Sequence, residues 1–78
     1  MDFETIAAII ADQFDIEVSK LTEKTDIQED LNATSMDVVE LIVAIESTTD
    51  IKIPEDAVDN IRTIRDIVNY LIDHSDEA

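Results

Sequence analysis

An all-α fold is expected from this chain: a small bundle of three main helices plus one short helix, with a long first loop. Three features point there. Apolar side chains recur at helical spacing in three separate stretches. Two of these stretches open with a Thr followed three residues later by an Asp, Thr34 to Asp37 and Thr63 to Asp66, which fits a capping box. Glycine is absent and Pro54 is the single proline, so Asn, Asp and Pro54 must do the turning.

The first helix is expected over Phe3–Phe14, where Phe3, Ile6, Ala7, Ile10 and Phe14 form one apolar stripe. Asp2 is its N-cap. Asp15 follows, a residue that tolerates the left-handed conformation in which helices often end. Residues 16–34 then form a connection with one short turn. Val18, Leu21, Ile27 and Leu31 are scattered through it at no steady period and are expected to pin it to the core. A loop of this length in a compact domain commonly has a functional reason.

The second helix is expected from Ser35 to Thr48, with Thr34 as N-cap and Asp37 at the third helical position. Pro54 opens a short helix over Glu55–Asn60. The last helix starts at the Thr63 box and carries a stripe of Ile64, Ile67, Val68, Leu71 and Ile72.

Length and composition bound the function. With 78 residues the chain is read as one domain, 1–78. A domain of this size buries only about 60–65% of its unfolded surface, so its stability margin is thin. It has no Cys and therefore no disulfide or thiolate metal site. The 45% hydrophobic content, rich in Ile, Val and Leu, must supply the core. The apolar runs are broken well short of the roughly 20 residues that span a bilayer. The start, Met1-Asp2-Phe3-Glu4, has no basic leader character, and a cytoplasmic location is expected. Lys and Arg number 5 against 20 Asp and Glu, a net charge of −15. Such a surface repels nucleic acid and anionic membrane, and it attracts proteins with basic patches. It also strains the fold by self-repulsion.

The second helix is apolar on two sides. Val38, Leu41, Ile42 and Ile45 cluster on one, as a core face would. Met36, Val39 and Val43 cluster roughly 130–150° away at about 100° per residue. Glu40, Glu46 and Ser47 lie beside this second stripe, full burial would take Asp37, Glu40 and Glu46 inside, and no Lys or Arg occurs from Asp26 to Asp50. One reading is a docking helix, an apolar stripe framed by carboxylates that meets basic partners. The other is that Met36 and Val39 cover the foot of the long loop.

Little in the chain suggests catalysis. His74 is the single histidine and has no metal-ligand cluster near it in sequence. The 20 carboxylates form no distinguishable acid–base pair and read as a solvated surface. Asp26-Ile27-Gln28-Glu29-Asp30 has the density of a calcium loop but lacks its glycine and its spaced terminal Glu. Ser35 stands apart by position. At the first turn of a helix, after a long loop, a phosphate ester on its hydroxyl would face free backbone N–H groups and the positive end of the helix dipole. Taken alone, a serine there is usually a helix-start residue.

The stretch Glu29-Asp30-Leu31-Asn32-Ala33-Thr34-Ser35-Met36-Asp37-Val38-Val39-Glu40-Leu41 resembles the acyl carrier protein motif, Glu-Asp-Leu-Gly-Ala-Asp-Ser-Leu-Asp before the second helix. The helix order, the long first loop, Ile53-Pro54 and the acidic balance extend the resemblance over nearly the full length. It implies that Ser35 carries 4′-phosphopantetheine, added from coenzyme A by a phosphopantetheinyl transferase. The arm's thiol would hold acyl groups as thioesters, which fits a chain without Cys. It further implies that Met36, Val39 and Val43, with Asp37, Glu40 and Glu46, form the surface met by acyl-processing enzymes with basic patches. The protein would be a monomer and a carrier, not an enzyme. The acyl chain would shelter among residues such as Leu41, Ile45, Ile61 and Leu71.

Three departures from the family pattern stand out. Thr34 replaces the usual Asp, keeping the N-cap but losing a charge beside Ser35. Asn32 replaces Gly. Thr49 replaces the Phe that usually closes the second helix, and Phe14, at a position commonly Leu, is expected to refill part of that space. A fatty acid biosynthesis carrier is the leading expectation. A specialised polyketide, peptidyl or D-alanyl carrier is the alternative within the fold, and an acidic adaptor without the arm is the alternative outside it.

Overall fold

The computed structural model describes residues 2–74; the two ends of the expected domain, residue 1 and residues 75–78, lie outside them. The elements are α1 (Phe3–Phe14), a 3-10 turn (Val18–Lys20), α2 (Ser35–Thr49), α3 (Glu55–Val58) and α4 (Ile64–Asp73). This is the expected helical bundle with its long first loop. The second helix runs one residue further than expected and the short one ends two residues sooner.

Each long helix starts where a side-chain oxygen can satisfy a first-turn N–H. Asp2 Oδ1 accepts from Thr5 N–H at 3.1 Å. Thr34 and Asp37 form a complete capping box, as do Thr63 and Asp66. Helices α1 and α2 end on left-handed Asp residues in place of glycine, and Asn32 makes the same turn in the loop. Asp15, Asn32 and Asp50 are the residues with positive φ among those described, at 59°, 56° and 61°. A short polar side chain lowers the steric cost of that conformation. At the end of α2, Thr49 turns its hydroxyl to the backbone, donating to Ile45 O at 2.8 Å and accepting from Ile51 N–H at 3.2 Å. Thr49 therefore closes the helix by hydrogen bonding rather than by bulk. Phe14 is half-buried against the core.

The core joins α1, α2 and α4. Ile6 and Ile10, Leu41 and Ile45, and Ile64, Ile67 and Leu71 are fully buried. Helix α1 packs on both α2 and α4. Two expectations fail at its margin. Val18 does not pin the loop, because it lies in the 3-10 turn and is 45% exposed, and Ile72 falls outside the buried arc of α4 at 50% exposed. Helix α4 buries Ile64, Ile67 and Leu71 on one line. Ile72, one residue on from Leu71, is turned about 100° from it.

Leu21 and Ile27 do anchor the loop, both buried, with Leu31 half-buried. Backbone bonds tie it to Arg62 and to the first turn of α4. Ile27 N–H donates to Arg62 O at 2.8 Å, Ile64 N–H to Thr25 O at 3.2 Å, and Arg65 N–H to Glu23 O at 2.9 Å. Asp26 and Thr63 thereby form an isolated antiparallel bridge. A connection whose one regular element is the 3-10 turn is thus held at several points, and Ser35 leaves it in a defined place.

Candidate functional site

Ser35 is the first residue of α2 and is exposed. Its position follows from the Thr34 box. Thr34 Oγ1 accepts from Asp37 N–H at 3.1 Å, and Asp37 Oδ2 accepts from Thr34 N–H at 3.0 Å. The reciprocal bonds fix the first turn and leave the Ser35 hydroxyl free of the capping duty that many helix-start serines perform. Asn32 in the left-handed conformation turns the loop into this start.

Ser35 also lines a cleft of about 570 Å³. One wall is α2, from Ser35 through Val38, Leu41 and Ile42 to Glu46. That stretch of helix is about 16 Å long. The other walls come from Ile27 and Gln28 in the loop and from Ile53, Val58, Ile61 and Arg62 around α3. A hydroxyl, an apolar trough and a polar edge thus lie along one helix. Leu41 and Ile61 line the cleft, as expected of a sheltering pocket. Ile45 and Leu71 do not. Both are fully buried in the core. Ile53 and Val58 take their place in the lining.

The second stripe of α2 is open. Met36, Val39 and Val43 are 66%, 54% and 58% exposed. They are not a cover for the loop. Glu40 is exposed beside them, whereas Asp37 and Glu46 are half-buried. Asp37 is engaged in the capping box. Glu46 Oε2 accepts from Ile53 N–H at 2.7 Å.

The acidic run after residue 25 is a turn built on its own carboxylates. Asp26 Oδ1 accepts from Gln28 and Glu29 N–H at 3.0 and 2.8 Å, and Asp30 Oδ2 accepts from Asp26 N–H at 2.8 Å. The Glu29 N–H holds the Asp26 carboxyl below its ordinary range, partial burial opposes this, and the Arg62 guanidinium adds to it. Among the described residues no group of three or more His, Asp or Glu side chains is placed to hold a metal ion. His74 stacks on Tyr70, ring centroids 4.0 Å apart, with Nδ1 2.8 Å from Tyr70 O. Its ring is a helix-end contact.

Two residues gain a role that the sequence did not signal. Arg62 lines the cleft and pairs with the loop. Glu46 clasps the segment that leads into α3. The Arg62 pairs span 36 and 33 residues and the Glu46 bond spans seven across the end of a helix, so no helical or strand spacing marks them.

Comparison with known proteins agrees with this geometry. The phosphopantetheine attachment site family matches residues 4–71. The acyl carrier protein of Clostridium acetobutylicum is 38% identical over 77 residues, which cover 99% of this chain and 100% of that one. That of Trieres chinensis is 42% identical over 69 residues, 88% of this chain and 86% of that one. The solved structure of the acyl carrier protein from Enterococcus faecalis superposes with a TM-score of 0.80 at 32% identity, over 94% of this chain and 92% of that one. A free serine hydroxyl at an exposed helix start, opening onto an apolar cleft, suits a covalent arm with a hydrophobic load, and the chain belongs to the acyl carrier protein family, whose members carry acyl groups on covalently attached 4′-phosphopantetheine.

Proposed function

We propose that Ser35 is the residue that bears the 4′-phosphopantetheine, and that the chain presents acyl thioesters to fatty acid or related biosynthetic enzymes without catalysing a step itself. The supporting observation is the exposed Ser35 at the start of α2 on the edge of the cleft. The arm, when attached, supplies the thiol that this chain lacks. The residues do the rest. Thr34 and Asp37 hold the first turn rigid, so the ester oxygen is presented in one place. The unpaired N–H groups of that turn and the helix dipole favour a phosphate there. Val38, Leu41, Ile42 and Ile53 offer the acyl chain a trough out of water.

Met36, Val39 and Val43 form the proposed contact with partner enzymes, including the transferase. Asp37, Glu40 and the free Oε1 of Glu46 supply the negative charge that draws basic patches to it. The charge of −15 supports fast encounter at low salt and opposes self-association. The proposed state is therefore a monomer, and the proposed compartment the cytoplasm. No helix among the described residues is long and apolar enough to cross a membrane.

The test is intact mass after incubation with coenzyme A and a broad-specificity phosphopantetheinyl transferase. A gain of one phosphopantetheine that Ser35→Ala abolishes is the expected result. An unmodified, folded chain with both that transferase and the cognate one would reject the assignment.

A further inference from the structure

Glu46 acts where two features meet. Its Oε2 accepts from Ile53 N–H at 2.7 Å, and both residues line the cleft. Ile53 is only 5% exposed, so its N–H has little access to water. A buried N–H without an acceptor is costly, which makes this bond a strong constraint on the backbone. The bond closes a loop of chain. Helix α2 ends at Thr49, the backbone turns through left-handed Asp50, and at Ile53 it is returned to the side of the helix it left. Pro54 follows and starts α3.

Helix α3 rests on the core only through the partly buried Ala57 and Val58. It has four residues, no side-chain hydrogen bond at its N-cap and no fully buried residue. Yet Glu55 and Val58 form part of the cleft wall that faces α2. The rest of the wall's position is set by the segments that flank the helix. Beyond its C-terminal end, Ile27 N–H binds Arg62 O at 2.8 Å. At its N-terminal end the buried Ile53 side chain anchors the chain in the core, and the Glu46–Ile53 bond fixes the backbone there. Tyr70 Oη reaches Lys52 O at 3.4 Å, a longer contact in an exposed setting.

From this geometry we infer that Glu46 is a positioning residue for cargo: its carboxylate holds Ile53, and through Pro54 the start of α3, at the spacing that lets the cleft cover an acyl chain. This role rests on the proposed carrier function, in which the cleft takes the chain. It is separate from any charge that Oε1 offers a partner.

The experiment uses the arm-bearing protein loaded with an octanoyl group and treated with neutral hydroxylamine, which cleaves a thioester it can reach. In parallel, hydrogen exchange of the Ile53 amide is followed by NMR in the apo chain. Glu46→Ala should raise the cleavage rate at least about threefold and the Ile53 exchange rate about tenfold, the worth of one hydrogen bond. Glu46→Gln keeps a carbonyl acceptor without the charge, and should hold both rates within about twofold of the parent. Asp12→Asn removes one charge from α1 and should do the same. If Glu46→Ala does not fold, Glu46→Asp, one methylene shorter, is read in its place.

Equal acceleration in Glu46→Gln would assign the effect to charge and overturn the role. So would a parent-like cleavage rate in a Glu46→Ala chain whose Ile53 amide has become exposed. An Ile53 amide that exchanges no faster in Glu46→Ala would overturn the bond itself. A chain that accepts no arm on Ser35 fails earlier, at the loading step. That failure removes the cargo role along with the attachment, and leaves Ile53 exchange in the apo chain to judge the bond.

Discussion

Arg62 Nη2 and Asp26 Oδ2 meet at 3.3 Å across 36 residues of sequence. The same nitrogen lies 3.4 Å from Glu29 Oε2. The backbone of Arg62 is bonded to Ile27 a few atoms away. One residue thus ties the loop that leads to Ser35 to the corner that leads to α4. The Arg62 side chain is 61% exposed, so solvent and salt weaken its pairs.

Arg62→Gln should leave the fold intact and lower Tm only slightly at low ionic strength. The difference should shrink further in about 0.5 M salt, where the Debye length is a few Å. The cleft side should respond more than the core: amides of residues 26–30 lose exchange protection, while those of Ile10 and Leu41 do not. Paired thermal melts and hydrogen exchange check this.

Thr34 carries the start of α2. Thr34→Ala removes both its acceptor and half of the capping box, and should cost about 0.5–2 kcal/mol in a denaturant titration. Thr34→Asp keeps an acceptor for the Asp37 N–H and should stay within about 0.5 kcal/mol of the parent. By restoring the charge usual beside the family's serine, it should also speed modification of Ser35 by a broad-specificity transferase, followed as a mass time course.

The two sides of α2 should separate stability from partner work. Ile45 is fully buried, and Ile45→Ala should destabilise by about 2–5 kcal/mol. Met36 is 66% exposed. Met36→Ala should change stability by less than about 0.5 kcal/mol. It should nevertheless weaken use of the loaded carrier by an acyl-processing enzyme, raising KM about tenfold as loss of an interface anchor does. Denaturant titration and steady-state kinetics with the carrier as varied substrate distinguish them.

The pH dependence should have an acid limb set by capping carboxylates. Asp2 is held below the ordinary value of 3.8 first by the Thr5 N–H, Asp26 first by the Glu29 N–H, and Asp66 first by the Arg62 N–H. A depressed folded-state pKa contributes stability that is present above 3.8 and lost as pH falls through the lower folded value. Tm should therefore fall below pH 3.8, and Asp66→Asn should flatten part of that fall. At pH 7 the dominant strain is self-repulsion at a net charge of −15, so added salt should raise Tm there. A Tm at pH 7 that is flat across ionic strength would count against it.

Read alone, the chain specified its helices, most of their ends, and the place of Ser35 at the start of α2. These are local properties. A cap joins residues three apart, as in Thr34 with Asp37 and Thr63 with Asp66, and a stripe such as Ile64, Ile67 and Leu71 repeats within two turns. The open stripe of Met36, Val39 and Val43 was also legible as a second apolar side, though periodicity could not say whether the loop covered it. Tertiary structure decided that, and it decided every contact that depends on how the chain turns between elements. Val18 and Ile72 stayed outside the core because of how the 3-10 turn and α4 lie against α1. Ile45 and Leu71 went into that core, while Ile53 and Val58 were brought to the cleft. Glu46 found Ile53 and Arg62 found Asp26 because the backbone carries each pair together. Those contacts exist only once the bundle has closed, and no spacing along the chain encodes the distance between them.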